Sequence, residues 1–298
     1  MIILHIEHDY NSYESIIGNL CRKYSFLKCE SVGKSVFGRS IRALRIGDSP
    51  EEVLYVGAVH GSERITATVI LRFVEELCEA YDKNTRLADI DIRRALRGKT
   101  AVFIPLVNPD GCEISLKGAV ACGEKAGWVK RLCNGDFTHW NANLRGVDIN
   151  HNFDAGWKSL HELERSSGYY GPGPTRYGGP HPNSEPETAA LVQYCKTHSV
   201  KYCVAFHSQG EVIYWDYNNI PTHRGRKMAE VFAASSGYAL DVPIGLSSGG
   251  GFKDWFIDCF HRPGFTVEIG LGRNPLPAED GEEIYKKIEE MMTIGLIM

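Results

Sequence analysis

The chain has 298 residues, is 43% hydrophobic and 23% charged, and carries a net charge of −4. That balance is ordinary for a soluble globular protein, and an acidic chain without a basic stripe argues against a nucleic-acid surface. No apolar run approaches the ~20 residues a bilayer span needs, so no membrane association is expected.

The N-terminal stretch MIILHIEHDYNSYE lacks the basic start and long apolar core of a signal peptide. The nine cysteines are odd in number and scattered, with no Cys-x-x-Cys pair. Reduced thiols and a cytoplasmic location are the expectation. With no repeat, low-complexity tract or linker, residues 1–298 read as one domain.

Residues 1–48 read as a helix (13–24) and a hairpin, the latter in GKSVFGRSIRALRIG, packed on the rest of the domain. Apolar strands then alternate with amphipathic helices. VLYVGAV (53–59) precedes a helix at 64–80, and AVFIPLV (101–107) precedes a long section, 111–184, rich in Gly, Asn, His and Trp. A helix at 185–198 leads to KYCVAF (201–206), one at 223–236 to FTVEI (265–269), and one at 279–292 closes the chain. Continuously apolar strands separated by helices predict an α/β fold, with a mixed, largely parallel sheet covered on both faces. The section 111–184 is too long for an ordinary connection and reads as a functional insertion.

Each apolar strand runs into residues capable of chemistry. His60 follows the first, Asn108-Pro109-Asp110 the second and His207 the third, and Glu268 lies near the end of the fourth. Ligands of open α/β sheets bind beyond the carboxyl ends of strands. Taken singly, each has a plainer reading: a histidine satisfied in a turn, a Glu63 favoured by a helix dipole, a Glu268 paired with Arg273. Taken together, His60, Glu63 and His207 form the His/His/Glu set that a catalytic zinc takes, with a fourth position left for water. Two ligands would come from one strand-to-helix turn, unlike His-Glu-x-x-His on a single helix.

The order His60-x-x-Glu63, Asn108-Pro109-Asp110-Gly111, Gly146-Val147-Asp148-Ile149-Asn150, His207-Ser208 and Thr266-Val267-Glu268 resembles the zinc carboxypeptidase family over nearly the whole chain. Within it, WNANLRGVDINHNF (140–153), YGGPHPNSEPET (177–188) and EIGLGRNPLP (268–277) look most like the γ-D-glutamyl-diamino-acid peptidases and murein peptide amidases of bacterial cell-wall metabolism. The resemblance implies one zinc per chain on His60, Glu63 and His207, with Glu268 as general base. It also implies a cation for the oxyanion. Arg145 is the candidate, since the family's arginine falls nearer Asn141, where no arginine occurs.

Two departures from the pancreatic-type members bear on the substrate. Asn150-His151 stands where they have Asn-Arg, so the grip on a terminal carboxylate is weaker and varies with pH. In LSSGGGFKDWF (246–256), Leu246 takes the place of their mobile tyrosine and Lys253 that of the residue at the base of the specificity pocket. A lysine there suits a side chain ending in a carboxylate; the alternative is a lysine pointing to solvent from a helix start. Diaminopimelate fits the first reading, with Asp216 or Glu211 to meet its ammonium. Gly250 would let backbone approach the ligand, and Ser208 completes the expected substrate contacts.

The predicted activity is therefore zinc-dependent hydrolysis of the γ-D-glutamyl–diaminopimelate bond in small murein peptides. A zinc carboxypeptidase of broader specificity and an aspartoacylase-like amidohydrolase are the alternative enzymes. A zinc-bearing binding protein without catalysis is the remaining reading.

Overall fold

The computed structural model describes residues 2–298. Helix α1 (Tyr10–Lys23) leads into the hairpin β1 (Lys28–Lys34) and β2 (Ser40–Ile46), then β3 (Glu51–Val56) and the long helix α2 (Arg64–Lys83). After β4 (Thr100–Ile104) come α3 (Pro109–Lys117), α4 (Ala126–Leu132) and α5 (Trp157–Ser166), the helices of the long middle section. Helix α6 (Pro186–Thr197) returns the chain to β5 (Ser199–His207) and β6 (Val212–Tyr214). The rest comprises α7 (Gly225–Ser236), β7 (Ala239–Asp241), α8 (Phe252–Phe260), β8 (Gly264–Glu268) and α9 (Gly281–Gly295).

These eight strands form one sheet in the order β1-β2-β4-β3-β5-β8-β6-β7. The four central strands, β4, β3, β5 and β8, are mutually parallel. The hairpin β1–β2 adds antiparallel to β4, and β6 adds antiparallel to β8 with β7 parallel beyond it. The expected mixed, largely parallel sheet is what forms. The N-terminal hairpin is its edge and not an appendage.

Side-chain alternation assigns the two faces. Val53 and Tyr55 of β3 and Tyr202, Val204 and Phe206 of β5 pack with α1, α2, α7 and α9. Leu54 and Val56, with Cys203 and Ala205, pack with α6 and α8. Parity then fixes the site. His207 follows Cys203 and Ala205 onto the α6/α8 face, and its partner across the β5–β8 register is Glu268. Phe265 and Val267 point the other way, so Glu268 stands beside His207.

The middle section is ordered around a small core of its own, including Ile114, Val129, Trp140 and Leu144. Two polar residues tie it to the sheet. The Asn108 amide donates to the carbonyls of Val59, Asn141 and Ala142 at 3.1–3.2 Å. Buried Asp110 accepts from the Ser35 hydroxyl, the Phe37 N–H and the Arg39 guanidinium at 2.6–2.8 Å. The Asn-Pro-Asp-Gly motif is thus a clamp between hairpin, strand end and insertion.

Candidate metal centre

Beyond β3 the chain turns sharply to enter α2. The turn is held by Thr66, whose hydroxyl accepts from the Ala58 N–H and donates to the Glu63 carbonyl, both at 2.7 Å. Gly61 has no substitute here, since a Cβ would lie 2.4–2.5 Å from the Gly111 and Trp140 carbonyl oxygens. Glu63 is the N-cap residue of α2, yet its carboxylate makes no cap hydrogen bond. It is free to face His60 and His207.

The ligand atoms of His60, Glu63 and His207 lie within 4.8 Å of one another. Glu63 Oε1 is 2.9 Å from His60 Nδ1, Oε2 is 3.0 Å from His207 Nδ1, and the two Nδ1 atoms are 3.2 Å apart. Nitrogens this close cannot both aim hydrogens at the same point, and as lone pairs they repel. A cation between them and the carboxylate satisfies all three. The donor set of two imidazoles and one carboxylate is the one zinc takes.

Asp148 completes the arrangement. Its Oδ1 lies 3.3 Å from His60 Nε2, which places the hydrogen there and leaves Nδ1 as a lone pair. Burial alone would raise the Asp148 pKa. The charges that His60 and His151 carry when protonated, with donation from His60 and the Arg176 N–H, outweigh it and hold the carboxyl well below its ordinary range. The Asp148→Ala variant is expected to bind zinc about 10–100-fold more weakly, measured by competition with a chromophoric chelator. Unchanged affinity would remove Asp148 from the site.

Glu268 lines the same cleft, of about 470 Å³, as His60, Asn150, His151, Ser208 and Lys253. Burial, and then the charge of Glu63, push its carboxyl up to about 8; a cation held by Glu63 would oppose the second effect. A basic carboxylate beside an electrophilic centre is a proton acceptor in waiting. Tyr214, on the neighbouring β6, also faces the cleft, and its pKa is raised by burial and by Glu268. A phenol therefore reaches the cleft from the sheet, and Leu246 lines it as well.

The remaining expected residues divide. Asn150 Oδ1 accepts from the Phe252 N–H at 3.0 Å, leaving its amide NH₂ for a ligand. His151 Nδ1 bonds to buried Glu164 at 2.8 Å, and its Nε2 has no partner among the described residues. The Ser208 hydroxyl is taken by Asn274 Oδ1 at 2.7 Å. The Asn274 amide donates to the Ser208 carbonyl at 2.5 Å and reaches Glu63 Oε1 at 3.3 Å, a link the sequence does not reveal.

Four placements differ from expectation. Arg145 does not line the cleft; its side chain is 49% exposed, with Nη1 3.6 Å from Glu185. The guanidinium groups at the cleft are those of Arg176 and Arg273, neither in an ion pair among the described residues. Gly250 spends its peptide inside the protein, donating to the Ala155 carbonyl and accepting from the Phe153 N–H. A Cβ there would meet Leu160 and the His151 carbonyl at 2.5–2.9 Å, so the glycine serves packing, and its neighbours Gly249 and Gly251 line the cleft. Glu211 is committed to Lys287 at 2.6 Å, away from the cleft. Asp216 meets Lys253 only through its carbonyl.

A family model described as zinc carboxypeptidase matches residues 13–293. The chain is 33% identical over 296 residues to γ-D-glutamyl-L-diamino acid endopeptidase 1 of Lysinibacillus sphaericus, covering 98% of this chain and 72% of that protein. Bovine thrombin-activatable fibrinolysis inhibitor, solved with tick carboxypeptidase inhibitor, superposes with a TM-score of 0.75 at 20% identity over 99% of this chain and 97% of that one. Murein-tripeptide amidase MpaA from Escherichia coli O157 superposes at 0.54, again at 20% identity, over 91% and 92%. At these identities the two structures speak for the fold alone.

Proposed function

The chain belongs to the zinc carboxypeptidase family, a metallopeptidase, and on that premise we propose that it hydrolyses the γ-D-glutamyl–diaminopimelate amide bond of bacterial murein peptides. The observation that carries the substrate is the 33% identity over 98% of the chain to a relative named for that bond type. The reaction is supported by the His60, Glu63 and His207 cluster with Glu268 beside it. Zinc on those three residues supplies a Lewis acid that polarises the scissile carbonyl and lowers the pKa of an attacking water from 15.7 to about 7.

The chain's own groups do the rest. Glu268 accepts the water's proton and passes it to the leaving amine nitrogen. Asp148 keeps the His60 ring in register, and Asn274 braces Glu63 against Ser208. Asn150 offers its amide NH₂ to the carboxylate next to the leaving amine; His151, with Nδ1 on Glu164, adds a second donor there only when both ring nitrogens carry hydrogen. That pair lacks the bidentate fork of Asn-Arg, so C-terminal carboxylate recognition is weaker than in pancreatic-type enzymes.

The test compares kcat/KM on L-Ala-γ-D-Glu-meso-diaminopimelate with that on peptides ending in Phe or Arg. The tripeptide is expected to exceed both by at least an order of magnitude, since a cleft that holds the Lys253 ammonium is neither an apolar pocket for Phe nor one free of a like charge for Arg. Preference for the Phe or Arg peptide would overturn the substrate and leave the peptidase.

A further inference from the structure

The cleft carries positive charge that the protein itself does not answer. Of the carboxylates lining it, Asp148 is bonded to His60, Thr175 and the Arg176 N–H. Asp254 accepts from the Gly249 N–H and contacts the Lys253 ammonium, which also donates to the Asp216 carbonyl. Glu268 is the base. The guanidinium groups of Arg176 and Arg273 line the cleft without a hydrogen-bond or ion-pair partner among the described residues. In a chain of net charge −4, two unanswered cations at one cleft favour an anionic ligand.

Both side chains start from fixed points beside the metal ligands. Residues 175–177 wrap Asp148: the Thr175 hydroxyl and the Arg176 N–H donate to Oδ2 at 3.2 and 2.8 Å, and the Asp148 N–H donates to the Tyr177 carbonyl at 2.8 Å. Arg176 is held there at φ 64°, a left-handed conformation that a residue with a Cβ rarely takes. Asp148 Oδ1 meets His60, so one carboxylate separates this arginine from a ligand. Arg273 precedes Asn274, whose amide donates to the Ser208 carbonyl and reaches Glu63 Oε1 at 3.3 Å.

The two arginines share a wall of the cleft. The Pro174 carbonyl, two residues before Arg176, accepts from the N–H groups of Asn141 and Ala142 at 2.8 and 2.9 Å. The Asp136 carboxyl, lowered first by the Thr138 N–H, is lowered also by the charges of His139 and Arg273. The stretch 136–142 thus runs past both. The groups offered to the leaving amino acid are tied to other elements, Asn150 to the Phe252 N–H and Lys253 to the Asp216 carbonyl. The charges acting on Glu268 are those of Glu63 and His60, so both guanidinium groups stand off from the base.

We propose that Arg176 and Arg273 form an acyl-side receptor for a free carboxylate, the α-carboxylate that a γ-linked glutamyl residue carries. A γ-linkage leaves that group unsubstituted, about 5 Å from the scissile carbonyl carbon; an ordinary α-linked peptide has a neutral amide in that region. A guanidinium fork takes a carboxylate through two parallel hydrogen bonds. A carboxamide in the same place offers one acceptor and no charge. Resting on the peptidase reading above, this assigns recognition of the glutamyl half: the free acid is accepted and its amidated form is turned away.

The experiment uses two tripeptides with one leaving group, L-Ala-γ-D-Glu-meso-diaminopimelate and its α-carboxamide, L-Ala-γ-D-isoglutaminyl-meso-diaminopimelate. Binding of the acyl halves, L-Ala-D-Glu and L-Ala-D-isoglutamine, is measured by calorimetry on the zinc-loaded protein beside kcat/KM. Wild type is expected to favour the free acid of each pair by about 10-fold or more, as for a hydrogen bond to a charged group. That preference should shrink as ionic strength rises. Arg176→Gln and Arg273→Gln should each lower the ratio, and the double variant should bring it near one. Arg176→Lys, which keeps the charge without the fork, should retain part of it.

Neither guanidinium bonds within the protein, so these changes break no internal contact, and zinc content and melting temperature check that the fold is kept. Equal handling of the two acyl groups by the wild type, in turnover and binding, would overturn the receptor and leave the peptidase standing. A folded double variant with the wild-type ratio, or one that loses both tripeptides equally, would overturn it too. Tighter binding of L-Ala-D-Glu than of its carboxamide, erased in the double variant, without cleavage of either tripeptide would support the receptor and overturn the reaction.

Discussion

The Glu268→Gln variant is expected to lose ~10²–10⁴-fold in kcat, the usual contribution of a positioned general base, while keeping zinc and thermal stability. The reasoning is geometric. Glu268 is the register partner of His207 on an adjacent parallel strand and lines the cleft with it. Glutamine keeps the shape but cannot take a proton. Because burial and Glu63 already push this carboxyl up to about 8 in the metal-free protein, it is mostly protonated at neutral pH, and a neutral amide in its place is not expected to lower stability. Zinc content by elemental analysis, melting temperature and single-turnover kinetics separate the roles. Activity within a few-fold of wild type would mean another group is the base; lost zinc would mean Glu268 is a ligand.

The second large effect is that of His207→Ala on metal content. His207 is 1% exposed, and its Nδ1 sits between Glu63 and His60. Without it only two protein ligands remain, one short of what a catalytic zinc site needs. The purified variant should be strongly depleted of zinc. Ligand binding stabilises the folded state by mass action, so a chelator should lower the melting temperature of the wild type and leave that of His207→Ala unmoved. A variant with one equivalent of zinc, or one with the wild-type response to chelator, would show that the ligand set is wrong.

The parts of the fold legible in the sequence are those that burial writes into it. VLYVGAV, AVFIPLV, KYCVAF and FTVEI are apolar on both faces because helices cover both sides of the central sheet, and β3, β4, β5 and β8 lie within a few residues of them. The polar residues after them are informative for the same reason, since a strand that stops being apolar has reached the sheet's edge. Strands β6 and β7, three residues each, are too short to show a period. Helix α8 is hidden because FKDWFIDCF mixes an apolar face with charges, of which Lys253 and Asp254 line the cleft in the fold.

The misplacements share a cause. Arg145 and Arg176 both lie in the long middle section, and nothing in its composition says which arginine faces inward. That is decided by the peptide around Asp148, whose Oδ2 accepts from the Arg176 N–H at 2.8 Å, while Arg145 is carried toward Glu185. Lys253 reads equally as a solvent-facing lysine, since i and i+1 positions of a helix carry no burial signal without knowing its axis. A glycine such as Gly250 suggests a ligand because it permits close approach. The approach is to His151 and Leu160 instead.

The most direct test of the function is mass spectrometry of L-Ala-γ-D-Glu-meso-diaminopimelate after incubation with the zinc-loaded protein. Hydrolysis assigned to His60, Glu63, His207 and Glu268 should yield free diaminopimelate and L-Ala-D-Glu, and no free alanine. Release of alanine with an intact γ-D-Glu-diaminopimelate fragment, or an unchanged tripeptide where a peptide with an ordinary C-terminal residue is cleaved, would contradict it.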